Sequence, residues 1–330
     1  MPSLIRDKSG TFFIVTSENG KRVWKSTRTR DRREAYQLFL AQSPTSRGNQ
    51  TLSKCASEFL AHVKTNSAPK THKVYKLALQ HLFDFIGDVA IEQVSTRDID
   101  RYKSQRIEKV SPATLNIEIR CFRAFFNRLR RWEILSKNPC DGVSQIRIPD
   151  QLPPFFTFEQ IKTIQDHTTE DWLYRVVTFA AMTGARLGEI LNLRWEDIDV
   201  ENRVCVIRSN GSFRVKSGKA RTIPLNETVY EMIIRSSHRD GLVFPGKRGQ
   251  KVRPNYVSRK FREIVRAAGL DKKLHFHSLR HTFASLLVKR GVSLYQVQKL
   301  LGHSSPRVTE VYAHLQGSDL HGAVSKIALF

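Results

Sequence analysis

The sequence predicts a multidomain, mainly α-helical protein with a small β-hairpin module at its N-terminus and an α+β domain at its C-terminus. Three observations lead to this prediction. The 330 residues are enough for two or three domains. Apolar residues recur at helical spacing over most of residues 51–143. Strand-like segments are confined to residues 11–27 and to the region around residues 204–225.

The N-terminal segment has the pattern of a β-hairpin followed by a helix. Residues 11–27 contain two strand-like runs joined at Glu18, Asn19 and Gly20. An Asn-Gly pair favours a tight hairpin because both residues tolerate positive φ. A helical pattern follows from Thr29 to Gln42, and residues 43–50 have the composition of a linker. We therefore predict a ββ(β)α module within a domain of residues 1–48.

The middle segment has the pattern of a four-helix domain, predicted for residues 49–147. Gly87 ends the second apolar stripe, and Ser95 and Ser111 are suited to cap the third and fourth helices. Asn138 and Pro139 end the last of them. The proline-rich segment 148–154 is typical of an extended connection to the next domain.

Residues 148–330 form the largest predicted domain and mix helices with strands. An apolar helix over Trp172–Met182 continues into Thr183-Gly184. Val204–Arg208 and Arg221–Leu225 are strand-like and flank a turn rich in Gly, Ser and Lys. The chain from Asn255 onwards is mainly helical. This pattern predicts an α+β domain.

The charge of the chain indicates a polyanionic partner. Its 55 Lys and Arg residues exceed its 31 Asp and Glu residues, so the formal net charge is +24. The excess is distributed over all three predicted domains, which favours nucleic acid over the alternatives of an anionic membrane surface or a merely basic protein. No apolar run approaches the roughly 20 residues that span a bilayer. The four cysteines form no CxxC pair, which suits a reducing cytosol. We expect a cytoplasmic protein.

Three motifs carry candidate chemistry. The first is Thr183–Ile190 together with Leu193-Arg194-Trp195, the second is Leu274–Thr282, and the third is Leu300–Ser305. Tyr312 lies beyond the third motif, nine residues after His303. In this order they resemble the catalytic domain of the tyrosine site-specific recombinases, the phage integrase family, from about residue 155 to 320. The resemblance implies a SAM-like core-binding domain at residues 49–147 and an arm-type DNA-binding-like module at residues 1–48.

Two arginines and a tyrosine are the central candidates. In-line attack on a DNA phosphodiester builds negative charge, which planar guanidinium groups stabilise best. Arg186 opens a helix after a Thr-Gly break, and Arg280 lies three residues after His277, on the same helix face. The resemblance implies that both clamp the scissile phosphate and that Tyr312 is the nucleophile. A phenol with a pKa of about 10 needs cationic surroundings or a nearby base for this role.

The resemblance assigns supporting roles to other residues. His277 assists proton removal, His303 hydrogen-bonds the phosphate, and Lys216 protonates the departing 5′-oxygen, with Lys219 as the alternative. Glu189 orients active-site groups, although an ordinary ion pair with Arg186 would leave the same pattern.

Metal and cofactor sites are not expected. His275, His277 and His281 cluster in the sequence, but HEXXH and a third ligand spacing are absent, so we predict no metal. His275 and His281 are instead expected to be structural or to face DNA. No cofactor is expected, because the chain also lacks a P-loop and an acidic metal-binding cluster.

These features predict an integrase of a phage or another mobile element. The resemblance implies that the protein acts in the bacterial cytosol, associated with the nucleoid. The expected partners are double-stranded DNA recombination sites, other copies of the chain in a homotetramer, and a DNA-bending accessory protein. The predicted phosphate contacts, which a solvated basic face would also explain, are Arg120, Arg123, Arg128, Arg130 and Arg131. A type IB topoisomerase-like relaxing enzyme and a non-catalytic DNA-binding regulator are the alternatives. Docking of the apolar segment 320–329 on its own domain or on a neighbouring protomer stays open.

Overall fold

The structure is a computed structural model that divides into two compact units, residues 1–149 and 150–330. It describes residues 3–7, 9–18, 21–42, 50–149, 152–211, 213–215, 218–237 and 239–315. The predicted further boundary near residue 48 stays a prediction. In the described part of the chain, no helix is both long and apolar enough to cross a membrane.

The first unit begins with a three-stranded antiparallel sheet and one helix. Its elements are β1 (Ser3–Arg6), β2 (Phe12–Glu18), β3 (Lys21–Ser26) and α1 (Arg32–Gln42). The predicted hairpin is present, with Glu18 opposite Lys21, while Asn19 and Gly20 lie outside the described residues. The helix begins at Arg32 instead of Thr29 because Asp31 accepts hydrogen bonds from the backbone N–H groups of Arg33 and Glu34 (2.8 and 2.9 Å).

Four helices complete the first unit, as the apolar spacing predicts. They are α2 (Leu52–Asn66), α3 (Pro69–Ile86), α4 (Thr96–Arg106) and α5 (Pro112–Arg131). Ser95 and Ser111 cap α4 and α5 by accepting hydrogen bonds from backbone N–H groups. The core of this bundle is dominated by aromatic residues of α5, among which Phe122, Phe125 and Phe126 are fully buried.

A buried carboxylate ties three of these helices together. Glu118 on α5 is 4% exposed and accepts hydrogen bonds from Tyr102 on α4 (2.7 Å) and from Arg106 at the end of α4 (2.8 and 3.1 Å). His81 of α3 also contacts it, through Nδ1 at 2.9 Å. Burial raises the pKa of Glu118, but Arg106 and Tyr102 outweigh that effect and hold it below its ordinary value. The cluster therefore fixes the relative positions of α3, α4 and α5.

The second unit is an α+β domain whose core contains both helices and a small sheet. Its helices are α6 (Phe158–Asp166), α7 (Asp171–Thr183), α8 (Leu187–Ile190), α9 (Glu227–Ile234), α10 (Pro254–Ala267), α11 (Ser278–Lys289), α12 (Leu294–Leu301) and α13 (Arg307–Glu310). Its strands are β4 (Ile198–Asp199), β5 (Val204–Ile207) and β6 (Arg221–Pro224), paired antiparallel in that order. The predicted strands correspond to β5 and β6, whereas β4, only two residues long, has no counterpart in the prediction.

Gly184 ends α7 at a point where three helices converge. Its φ of +63° is left-handed, and its N–H donates to Ala180 O. A Cβ at this position would lie 2.6 Å from Phe283 Cδ1 and 2.7 Å from Leu301 Cδ2. Glycine is therefore required at position 184 for two reasons, the left-handed backbone conformation and the close approach of α11 and α12.

We predict that Gly184→Ala destabilises the second unit by about 3 kcal/mol, from left-handed strain plus overpacking. Gly269→Ala is the matched control, because Gly269 has a similar φ of +67° but open space around it. The control should lose only about 1 kcal/mol. Urea unfolding of the full chain measures both losses. Equal losses would show that the close approach at Gly184 has no energetic consequence.

Candidate active site

The turn after α7 positions Arg186 and Glu189. Thr183 accepts a hydrogen bond from Ala185 N (3.3 Å), and Arg186 then lies at the N-terminus of α8. Glu189 folds back on Arg186, accepting from its backbone N–H (2.9 Å) and from its Nη1 (3.0 Å). The ion pair between Arg186 and Glu189, which was the alternative explanation of this sequence pattern, is thus present. The Arg186 side chain is 23% exposed, which leaves the guanidinium accessible to a ligand.

Glu189 has a second partner, Arg221, which the sequence analysis missed. Arg221 donates from both terminal nitrogens to the two carboxylate oxygens of Glu189 (3.1 and 2.6 Å), and its Nε donates to Leu300 O (3.0 Å). Both side chains are under 10% exposed. Alternation along β6 places Arg221 on the same face as the buried Ile223, and this signal could have revealed it.

The Glu189 carboxylate is held in its charged form. Burial acts to raise the pKa of Glu189, but the hydrogen bonds and charge of Arg221, followed by those of Arg186, hold it below its ordinary value of 4.5. A charged carboxylate in this position fixes both guanidinium groups. The role of orienting active-site groups, which the family resemblance implies for Glu189, stays a prediction that these contacts support.

Arg280 is buried between the ends of two helices. It is 3% exposed, and it donates to Gly184 O after α7 and to Leu301 O at the end of α12, both at 2.7 Å. Carbonyl groups at helix C-termini carry partial negative charge, which favours a cation there. Burial, followed by the like charge of Arg186, lowers the pKa of Arg280 to about 9, so it remains charged at neutral pH.

His303 follows Gly302, which has a left-handed backbone as Gly184 does, and the His303 side chain contacts Thr309. Its Nδ1 lies 2.8 Å from Thr309 Oγ1, and Thr309 is 1% exposed. Burial, followed by the charges of Arg280 and Arg186, lowers the pKa of His303 to about 3, so the ring is neutral at pH 7. Because Nδ1 is the nitrogen that contacts Thr309, the other ring nitrogen of His303, Nε2, lies on the opposite edge of the ring. The sequence analysis gave Thr309 no role.

Tyr312 is buried, and its hydroxyl contacts a histidine. The residue is 2% exposed and packs with Ala284, Val288 and Leu301. Its hydroxyl oxygen lies 2.6 Å from His281 Nδ1. Burial raises the pKa of Tyr312 to about 12, against an opposing effect of the Arg280 charge. The sequence predicts that His281 is structural or faces DNA, and it does not indicate this contact.

The other histidines of the second motif lie around the start of α11. His277 is exposed, immediately precedes α11, and has its ring centroid 5.0 Å from that of His281. His275 accepts from the backbone N–H of Ser278 (3.1 Å) and therefore caps the helix start. Among the described residues, no three His, Cys, Asp or Glu side chains are grouped to hold a metal ion.

The described residues do not show which of Lys216 and Lys219 is the general acid. Lys216 lies outside them, and Lys219 is exposed in the segment between β5 and β6. Val215, just before Lys216, is buried, and its N–H donates to Ser209 Oγ (3.0 Å). The assignment of the general acid to Lys216, with Lys219 as alternative, stays a prediction.

The predicted DNA-contact arginines all lie on α5 in the first unit. Arg120, Arg130 and Arg131 are exposed and Arg128 is half-buried. Arg123 differs from the others, because its Nη2 donates to Val143 O (2.5 Å) and so ties the segment after α5 to the bundle. Arg123 thus has a structural contact that explains its presence without DNA.

The described site assembles three guanidinium groups around one carboxylate. Arg186 and Arg221 share Glu189, while Arg280 reaches Gly184, two residues before Arg186. The site therefore carries excess positive charge, and an anion at Arg186 would relieve the repulsion among these cations.

Comparisons with known proteins agree on one family. Residues 154–318 match the phage integrase family, and residues 50–147 match the N-terminal domain of phage integrases. A tyrosine recombinase of Pseudothermotoga lettingae is 28% identical over 280 residues, covering 82% of this chain and 96% of that protein. The integrase of Escherichia phage 186 is 28% identical over 326 residues, covering 92% of this chain and 90% of that protein.

The fold is similar to that of lambda integrase. In a crystal structure of a lambda integrase tetramer bound to a Holliday junction, the matched chain is 19% identical, with a TM-score of 0.68. The match covers 93% of this chain and 96% of that chain. The multidomain, mainly helical fold that the sequence predicts is therefore confirmed.

We predict that Arg221→Met destabilises the second unit by about 3 kcal/mol, because it leaves the buried Glu189 carboxylate with only one cationic partner. Arg235→Met is the control, since Arg235 forms an exposed ion pair with Glu231 and its loss should cost under about 0.5 kcal/mol. Urea unfolding measures both variants. Similar losses would contradict the importance of the buried pair.

The lowered pKa of Glu189 predicts a pH dependence. The unfolded carboxyl binds protons more readily than the folded one, so this contribution is present above about pH 4.5 and is lost as pH falls through the folded pKa. Glu189→Gln should therefore be less stable than wild type at pH 7, yet lose less stability between pH 7 and pH 3. The midpoints of urea unfolding between pH 7 and pH 3 test this prediction. Glu231→Gln is the surface control, and its midpoint should change with pH as that of the wild-type protein does.

Proposed function

Because the chain belongs to the phage integrase family of tyrosine recombinases, we propose that it is a site-specific recombinase of a phage or other mobile element that cuts and rejoins duplex DNA through Tyr312. The observation that carries this proposal is the cationic cluster of Arg186, Arg221 and Arg280 in the unit that also holds Tyr312. A phosphodiester is the anion that a nucleophilic tyrosine in this family would attack.

The roles of the cluster follow from its geometry and charge. Arg186 is the accessible guanidinium and binds an oxygen of the scissile phosphate, and Arg280 adds charge from its buried position. As attack builds charge on the equatorial oxygens, these fixed cations stabilise the transition state without reorganising. His303, neutral and oriented by Thr309, donates a hydrogen bond from Nε2 to another oxygen.

The chemical step exchanges one phosphate ester for another. Tyr312 Oη forms a bond to phosphorus while the bond from phosphorus to the 5′-oxygen breaks, which leaves a 3′-phosphotyrosyl link. The phenol loses a proton, with His277 assisting, and the departing 5′-oxygen gains one from Lys216. An incoming 5′-hydroxyl from the partner duplex then reverses the step and restores the tyrosine. Since an ester bond is conserved throughout, the exchange needs no ATP, and the fixed arginines supply the positive charge that a metal ion would otherwise provide.

The rest of the chain is proposed to hold DNA. The helical segment over residues 49–147 and the catalytic segment each contact the duplex, with exposed arginines of α5 such as Arg120, Arg130 and Arg131 on phosphates. The module of residues 1–48 acts as an arm-type reader, and similarity to the phage 186 integrase over 92% of this chain favours a mobile-element integrase. The tetramer of lambda integrase on a Holliday junction supports a homotetramer on DNA.

We predict that Tyr312→Phe abolishes covalent attachment to DNA because the variant lacks the attacking hydroxyl. The substrate is nicked duplex DNA from the region beside the gene, where attachment sites lie. The wild-type protein should form an adduct that survives denaturing electrophoresis. Tyr295→Phe, which alters an exposed tyrosine on α12, is the control expected to form the adduct normally. An adduct with Tyr312→Phe would show that another residue is the nucleophile.

A further inference from the structure

The hydroxyl of Tyr312 is hydrogen-bonded to His281, a residue that the proposed reaction does not use. The Oη to Nδ1 distance is 2.6 Å, and the two ring centroids are 6.1 Å apart. His281 lies one turn of α11 after His277 and directly follows Arg280. The contact joins the residue proposed to attack DNA to the helix that carries the buried cation Arg280.

Tyr312 is not accessible in this arrangement. The whole residue is only 2% exposed, and its ring packs among side chains of α11 and α12, with Leu315 beside it. In-line attack requires the hydroxyl oxygen within about 3.5 Å of phosphorus. A phosphate group, which is larger than a water molecule, cannot approach a hydroxyl from which water is largely excluded. The tyrosine must therefore change position before it reacts.

The His281 contact does not activate the phenol. Burial, followed by the charges of His277, His275 and Arg280, lowers the pKa of His281 to about 4. Burial raises the pKa of Tyr312 to about 12. Proton transfer from such a phenol to such an imidazole is strongly unfavourable. The hydrogen bond therefore stabilises the neutral, unreactive phenol.

We propose that His281 is a positioning residue that retains Tyr312 in a buried resting state, and that DNA cleavage requires the Tyr312 hydroxyl to leave His281 Nδ1. The inference rests on the proposed function, because it takes Tyr312 as the nucleophile. The element before the tyrosine suits such a movement, since α13 has only four residues and the exposed Val308 and Val311 flank its buried Thr309. A short element with few buried side chains rearranges at low cost.

The first test compares His281→Phe with His281→Asn. Phenylalanine fills the site without a hydrogen bond, whereas the asparagine side chain offers a polar atom near the position of Nδ1. With saturating nicked substrate in single turnover, His281→Phe should form the adduct about fivefold faster than wild type, as expected for a lost hydrogen bond of about 1 kcal/mol. His281→Asn should remain near the wild-type rate. His167→Phe is the control for the same substitution at an exposed histidine.

The second test needs no substitution. Tetranitromethane nitrates accessible phenol rings, and peptide mass spectrometry locates the product. In the free wild-type protein, Tyr312 should resist nitration while Tyr295, which is 64% exposed, reacts. Tyr312 reacting as fast as Tyr295 in the free protein would overturn the inference even if His281→Phe fails to fold.

The outcomes separate the two proposals. Adducts that form no faster, or more slowly, with His281→Phe than with wild type would overturn the role of His281 and leave the proposed function standing. The absence of an adduct from the wild-type protein on attachment-site DNA would overturn the proposed function and this inference with it.

Discussion

The site depends on one buried cation, Arg280, placed between the C-terminal ends of two helices. Its guanidinium is held by Gly184 O after α7 and Leu301 O at the end of α12, so three helices meet at one side chain. Backbone carbonyls satisfy its donors without cancelling its charge, as a carboxylate would. Each of α7 and α12 ends in a left-handed glycine. Arg186 follows Gly184 and His303 follows Gly302, and the two are close enough for the Arg186 charge to contribute, after burial and Arg280, to the lowered pKa of His303. This geometry explains why the Thr-Gly and Leu-Gly-His motifs have the form they do.

The charge balance around Arg280 adapts the site to an anion. Glu189 is the carboxylate partner of both Arg186 and Arg221, and it orients them without neutralising the whole cluster. Burial lowers the pKa of Arg280, and the like charges of Arg186 and Arg221 lower it further, so the cations of the site repel one another. The neutral His303 adds no further cation. A phosphate would therefore relieve an existing repulsion, and the free energy released favours binding in the orientation that these rigid groups define.

Local features of the chain were predictable because they depend on neighbours in sequence. The N-terminal hairpin and the four helices α2 to α5 follow from turn chemistry, apolar spacing and serine caps. The predicted start of α1 was wrong because the Asp31 cap places it at Arg32, and β4 was not predicted because it has only two residues. Arg221, Thr309 and His281 were missed as members of the site, because their partners are 32, 6 and 31 residues away. Alternation along β6 indicates that Arg221 faces the core, but no spacing rule identifies the partners of these three residues.

Composition and local patterns are enough to predict the mainly helical, multidomain fold, the basic character of the chain, and the motifs that contain Arg186, Arg280, His303 and Tyr312. What each of these groups contacts follows from the tertiary structure, which shows Arg280 on backbone carbonyls, Glu189 between two arginines, and Tyr312 buried against His281. The physical reason is that secondary structure and charge follow from local sequence, whereas burial, pKa and hydrogen-bond partners depend on which distant elements pack together.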